Sequence, residues 1–375
     1  MQSILSADDY INPKVLEKEQ RTIFRRLWLF SSVRSVLDRP NAYVSLRLAG
    51  LPVLLQNCDG EIRAFSNQCP HRLMPLQPAG FGQSSMRCPY HGWTFQHDGS
   101  VKSIPNESTL YQYSKEDRQK LCLKRYAVHI IGNLVFVNLS ENPIPITLQF
   151  SDEIIEYLKN ISAHFSPQAA YVETEVNYNW KLQYENVLDY NHVPYVHPKS
   201  FLPLIKKGEK ELLKYTTAFP TRELHRTVRP TLAEQSFRTS APLNIPSQDW
   251  HTKVRRHGSG GYFENIYLFP NVNFNCAEGL IFKIEQYEPI SPDRTAIRFT
   301  MMLAEPEQKL NALPAILRGC IRNDVNVLHE DMAHLENLQK NLNALSPRVE
   351  HGSYEKPLIS FAQVYKELLD GNNPW

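Results

Sequence analysis

Four residues constrain this chain more than any other feature: Cys69-x-His71, a spacer of sixteen residues, then Cys88-x-x-His91. Each half offers one thiolate and one imidazole from a short loop, and Pro70, Pro89 and Gly92 stand ready to bend the backbone around a buried object. Such a donor set serves a structural zinc, or a 2Fe-2S cluster in which one iron takes both cysteines and the other both histidines. A zinc finger usually groups its cysteines in one close pair and its histidines in another. Here each loop mixes the types, as a cluster with two unlike ends requires. Two neutral imidazoles in place of thiolates leave such a cluster less negative and raise its reduction potential, which suits an intermediate electron carrier.

The surrounding texture says what holds these loops. From Tyr43 to Leu139 the chain runs in short β-type segments (YVSLRLA, LPVLLQN, VHIIGNLVFVNL) punctuated by Asp-Gly and Pro-Ala-Gly, which predicts a small all-β domain over residues 41–145. Before it, residues 9–31 place Val15, Leu16, Ile23, Phe24 and Leu27 at helical spacing, so 1–40 reads as a helical segment packing with the second domain. The stretch 141–153 is a proline-bearing connector. Beyond about 165, strand-like runs alternate with helical patterns at 180–192 and 305–345, an α+β texture with a mainly antiparallel sheet over 146–375. The mixed-charge run 206–214, KKGEKELLK, reads as a solvated loop or helix face.

Composition excludes several function classes. Lys plus Arg number 41 against 39 Asp plus Glu, so neither nucleic acid nor an acidic bilayer is a default partner. No run approaches the roughly 18 apolar residues of a membrane span. The first residues lack the pattern of a secretory signal, which sets cytoplasm as the expected compartment and thiols as the expected state of the cysteines. Cys58, Cys122, Cys276 and Cys320 have no ligand-type neighbours and read as packed thiols.

A second constellation lies at 177–198, NYNWKLQYENVLDYNHVPYVHP. Glu185, Asn186, Asp189 and His192 fall at helical spacing, with Asp189 and His192 on one face; Pro194 is expected to stop the helix, and His197 follows on the turn. Two imidazoles and one carboxylate form the facial triad of non-heme ferrous oxygenases. The carboxylate must come from elsewhere, and the acidic segment 323–339 offers Asp324, Glu330 and Asp331, among which spacing does not choose.

With these residues in place the chain resembles the Rieske non-heme iron oxygenases of the ring-hydroxylating α-subunit type. The likeness rests on both cluster loops, on Asn179-Trp180-Lys181, on Glu185-Asn186-x-x-Asp189-x-x-His192-x-x-x-x-His197, and on Glu330-Asp331 followed by Glu336 and Gln339. It implies an all-β Rieske domain beside a helix-grip catalytic domain, an antiparallel sheet around a long helix. It implies Cys69 and Cys88 on the inner iron, His71 and His91 on the outer, and His192, His197 and Asp331 on a mononuclear ferrous ion. Asp189, with Asn186 beside it, becomes the catalytic link between the centres of neighbouring subunits in a head-to-tail homotrimer. The chain has no Gly-x-Gly-x-x-Gly turn. NAD(P)H would therefore act only through a separate flavin reductase, with or without a ferredoxin. The expected reaction is hydroxylation, by one or two oxygen atoms, of a small aromatic substrate. Oxidative demethylation or monooxygenation of a quaternary amine is the alternative within the family, and a Rieske electron-transfer protein without oxygenase activity the alternative outside it.

Overall fold

In the computed structural model, residues 3–205, 230–344 and 349–374 are described; the charged run 206–214 lies outside them. The chain forms two units, residues 1–24 with 145–375, and residues 25–144. Its opening helices, α1 (Asp8–Ile11) and α2 (Pro13–Glu19), lead into a π-helical turn at Gln20–Phe24. The helix expected over 9–31 therefore ends early. Trp28–Val33 is instead strand β1, buried along its whole length and paired with a strand a hundred residues away, a long-range contact that helical spacing cannot report.

Unit 25–144 is a seven-stranded antiparallel sheet. Its strands are β1, β2 (Ala42–Leu48), β3 (Leu51–Cys58), β4 (Glu61–Ser66), β5 (Gly80–Gln83), β8 (Arg125–Ile131) and β9 (Leu134–Asn138), in the order β1-β9-β8-β4-β3-β2-β5. The small hairpin β6 (Thr94–Phe95) and β7 (Val101–Ser103) follows the second cysteine loop, and the short helix α3 (Lys115–Lys120) follows that. Trp93, Phe65, Leu54, Cys69 and Cys88 share one buried cluster, so both loops rest on the domain's own core.

In the other unit, α4 (Ile146–Gln149) and α5 (Asp152–Ser162) precede a six-stranded antiparallel sheet, order β10-β15-β14-β13-β12-β11. Its strands are β10 (Phe165–Val176), β11 (Phe237–Pro242), β12 (Tyr262–Leu268), β13 (Val272–Ala277), β14 (Ile281–Ser291) and β15 (Arg294–Ala304). Against one face pack α6 (Trp180–Leu188), near β13 and β14, and the long helix α8 (Leu313–Ala344), near β10 and β15. Between them lies the four-residue α7 (Val193–Val196), and α9 (Lys356–Leu369) closes the chain against α6. One unit with a long helix packed on an antiparallel sheet, and a second built on a β-sheet of its own, make up the α+β fold expected. Among the described residues no helix is long and apolar enough to cross a membrane.

Candidate metal centres

The two cysteine loops are built alike. In the first, the amide of Cys69 donates to the carbonyl of Met74 (2.9 Å) and the amide of Leu73 to that of Cys69 (2.8 Å); in the second, Cys88 donates to Trp93 (2.8 Å) and Gly92 to Cys88 (3.0 Å). Each turn closes through a residue of positive φ at the same offset, Leu73 (59°) and Gly92 (73°). That repeat gives the two cysteines matching turns, while the histidine follows two residues after Cys69 and three after Cys88. The cysteines are 1% exposed, whereas the histidines lie nearer the surface with ring centroids 4.5 Å apart. Trp93 stacks on His71 at 4.9 Å and 3°.

The donor chemistry fits a cluster. Burial pushes the Cys69 thiol up to about 11, so an electron-poor partner such as ferric iron is what would hold it as thiolate. Burial, His91 and Arg72 lower the His71 pKa, keeping that imidazole neutral and its lone pair available. The Nδ1 atoms of His71 and His91 are both buried and make no hydrogen bond, the condition of a nitrogen placed for a metal.

The second centre is assembled over a longer span. Helix α6 starts at Asn179, whose side chain accepts from the Lys181 amide (3.0 Å) and whose own amide donates to Gln339 on α8 (2.8 Å). It ends at Leu188 rather than running through His192. Asp189 is extended, and its carboxylate accepts from the Asn191 amide (2.7 Å), a local turn that competes with the helix. Pro194 accordingly starts α7 instead of stopping α6, since a first-turn residue needs no amide proton. His192 caps α7 at one end and His197 at the other.

His192, His197 and Asp331 each bring a donor atom to one point, all within 4.8 Å of one another. His197 Nε2 stands 3.1 Å and His192 Nε2 3.7 Å from Asp331 Oδ1, yet that buried oxygen accepts no hydrogen bond. Unlike donors converging without hydrogen-bond geometry are what one cation would join. Behind them, His197 Nδ1 meets Glu330 Oε2 at 2.7 Å, and the same oxygen accepts from Ser200. That carboxylate fixes the imidazole tautomer that aims Nε2 forward. Burial alone would lower the His197 pKa; Asp331 and Glu330, two carboxylates against one imidazole, outweigh it and raise it. Of the three acids left open by spacing, Asp324 pairs instead with Lys283 at 3.2 Å.

The description "Ring hydroxylating alpha subunit (catalytic domain)" matches residues 165–371, and "Rieske 2Fe-2S domain" matches 28–114. The chain belongs to the Rieske ring-hydroxylating oxygenases. It is thus a terminal oxygenase component, an oxidoreductase whose cofactors are a Rieske 2Fe-2S cluster and a mononuclear iron. It is 26% identical to the carnitine monooxygenase oxygenase subunit of Acinetobacter pittii (strain PHEA-2), over 80% of this chain and 75% of that one. It is 25% identical to the 2-aminobenzenesulfonate 2,3-dioxygenase alpha subunit of Alcaligenes sp, over 77% and 72%. Its fold superposes on a naphthalene 1,2-dioxygenase solved with indole bound, with TM-score 0.75 and 20% identity, over 100% of this chain and 94% of that one.

Around the oxygenase's second centre several residues fall differently from their motif. Asp189 Oδ2 lies 3.8 Å from His192 Nδ1, beyond a hydrogen bond. The Asn186 carbonyl accepts from the Asp189 amide (3.2 Å), so Asn186 supports the turn through its backbone. Glu185 points away, accepting from Tyr10 Oη (2.7 Å). Burial pushes its carboxyl up to about 7 against the lowering effects of Tyr10 and Lys181. Lys181 is fully buried on Glu19 (2.5 Å), its ammonium ringed by Tyr10, Trp180 and Tyr365 at 5.1–5.2 Å. Glu19 and Ser200 carried no motif that sequence reading could seize. Of the four remaining cysteines, Cys58 and Cys276 are buried and Cys320 partly so, but Cys122 is exposed, standing in the loop after α3 rather than in a core.

Proposed function

We propose that this chain is the oxygenase of a cytoplasmic multicomponent system that inserts oxygen from O2 into a small organic substrate. Cys69, His71, Cys88 and His91 hold the cluster, and His192, His197 and Asp331 hold the ferrous ion. The observation that carries this reading is the convergence of three donor atoms within 4.8 Å around a buried, unpartnered carboxylate oxygen. When bound, the cluster would supply single electrons and the mononuclear iron would supply the redox chemistry of oxygen activation beside the substrate. The chain's own residues set the stage. Glu330 keeps the proton of His197 on Nδ1, and Ser200 holds Glu330 in place. Asp189, anchored by the Asn191 amide, turns its other oxygen toward His192 Nδ1 at 3.8 Å, and a neighbouring subunit's His91 reaches the same carboxylate in a head-to-tail trimer. A separate flavin reductase, with or without a ferredoxin, charges the cluster. The substrate is aromatic or a quaternary amine; the relatives named above include an oxygenase of each kind, and Phe201 and Tyr190 pack beside Val193 next to His192.

Asp189→Asn tests this directly. The amide retains an oxygen for Asn191 but loses its charge. Both metals should remain at wild-type content while turnover, followed as incorporation of isotopically labelled oxygen, falls about 100-fold. Full activity in that variant would remove Asp189 from the electron route.

A further inference from the structure

Thr239, Asn265, Asn275 and Lys283 stand directly opposite one another on β11, β12, β13 and β14, and so form one row on one face of the sheet. It is the face covered by α6 and by the helix that carries Asp331: two residues along β12 from Asn265, Tyr267 Oη donates to the Val187 carbonyl of α6 (2.8 Å), and Lys283 reaches Asp324 of α8 (3.2 Å). The row is bracketed. At one end Tyr190, two residues before His192, bonds Thr239 (3.1 Å) and accepts from Asn265. At the other, Asp324 precedes Asp331 by about two turns, roughly 10 Å along the same side of the helix. Adjacent strands are about 4.8 Å apart, so Asn265 and Asn275 lie beneath the gap between the histidine loop and the aspartate helix.

Asn265 and Asn275 of this row, and Asn273, which flanks it two residues along β13 and directly opposite Tyr267 and Glu285, are only 3–5% exposed, on a sheet face where apolar side chains would pack at no polar cost. Their bonds to one another do not use up their capacity. Asn275 donates to Asn265 and, at 3.4 Å, to Asn273; Asn265 donates to Tyr190. Among the described residues the Asn273 Nδ2 atom donates to no partner and the Asn275 Oδ1 atom accepts from none, so an unused amide N–H pair stands beside an unused carbonyl oxygen. We propose that this amide row is the polar wall of the substrate site and receives a carbonyl or carboxylate oxygen of the substrate. The assignment rests on the oxygenase reading and narrows it: neither a bare hydrocarbon nor a lone trimethylammonium group offers the acceptor that these N–H groups need.

The test uses the holoenzyme, anaerobic and loaded with both metals, titrated with toluene, p-toluate and p-toluamide, which share one ring and differ in the polar group. Both oxygen-bearing probes should bind about 100-fold more tightly than toluene. In Asn273→Leu that preference should shrink about tenfold, with iron content and cluster spectrum unchanged. Should Asn273→Leu fail to fold, the wild-type ratios decide alone. Equal affinities, no binding by any of the three, tight binding of toluate without toluamide, or a preference that survives in the variant would each overturn the assignment. Turnover with labelled oxygen separates the two readings: labelled products formed without discrimination sink only the amide row, and discrimination without labelled product sinks only the oxygenase.

Discussion

The two donor sets of this molecule solve the same problem by opposite means. Cys69, His71, Cys88 and His91 are held by backbone: paired turns whose amides and carbonyls close on each other at 2.8–3.0 Å, with the rest of the domain core beneath them. His192, His197 and Asp331 are held by side chains from distant segments: Glu330 behind His197, Gln339 on Asn179, and Glu19 on Lys181 at the root of α6. A site built from backbone turns tolerates change outside its ligands. One built on side-chain props depends on each prop.

The largest break between them should come from His192→Ala. Mononuclear iron should be lost and turnover should fall by about 1000-fold, equivalent to some 4 kcal/mol of transition-state stabilisation. The visible spectrum of the cluster should not change, because the two donor sets lie in different compact units of the chain. Iron analysis and absorption on one preparation decide it; joint loss of both signals would mean the centres are not independent.

A smaller effect is expected one layer back. Glu330→Gln keeps an oxygen near His197 Nδ1 but weakens the charge that fixes its tautomer. Affinity for ferrous iron should drop 10- to 100-fold, read by competition with a chelator, again without disturbing the cluster. An unchanged affinity would demote Glu330 to a bystander.

The same contrast explains what could be read from sequence. The cluster pattern was legible residue by residue because its ligands and its turns occupy one short stretch. The third carboxylate was not. Asp324, Glu330 and Asp331 share one helix, and the choice among them is made by partners elsewhere: Lys283 on β14 takes Asp324, His197 and Ser200 take Glu330, and only Asp331 is left facing both imidazoles. Resemblance to the family supplied Asp331 where spacing could not. The helix read through His192 failed for a local reason, the Asp189 side chain capturing the Asn191 amide, and the helix read through Leu27 failed for a distant one, the pairing of Trp28–Val33 with β9. The amide row across β11 to β14 was invisible because its members come together only through strand register.

Props can also be proton-sensitive, and here the two regions should separate in pH. Glu185 braces α6 against Tyr10, and its folded pKa near 7 exceeds the ordinary value of 4.5. Between those values the folded chain keeps a proton that the unfolded chain has released, so the contribution of this group to stability declines as pH rises through that window and is lost above it. Glu185→Gln accepts the Tyr10 hydroxyl without titrating. It should match wild type near pH 4.5 and exceed it at pH 8 by about 2–3 kcal/mol at most, seen as a higher denaturant midpoint for this unit. A variant less stable than wild type at pH 8 would show that the charged form is the one the fold prefers.

The smallest effect tests the backbone-built site on its own terms. Gly92 closes the second cysteine turn at φ 73°, and a Cβ there would stand 3.2 Å from Pro105 Cγ, whereas Leu73 holds φ 59° at the matching place in the first turn with a full side chain. Left-handed backbone therefore does not by itself forbid a side chain in these loops; the neighbour does. Gly92→Ala adds a left-handed penalty of about 1 kcal/mol to that tight contact, so a loss of about 1–2 kcal/mol is expected in the stability of unit 25–144, with the cluster spectrum retained below the unfolding transition. If Gly92→Ala instead abolishes the cluster in a folded domain, the loops hold their iron by a finer margin than their backbone bonds suggest, and the contrast with the second centre narrows.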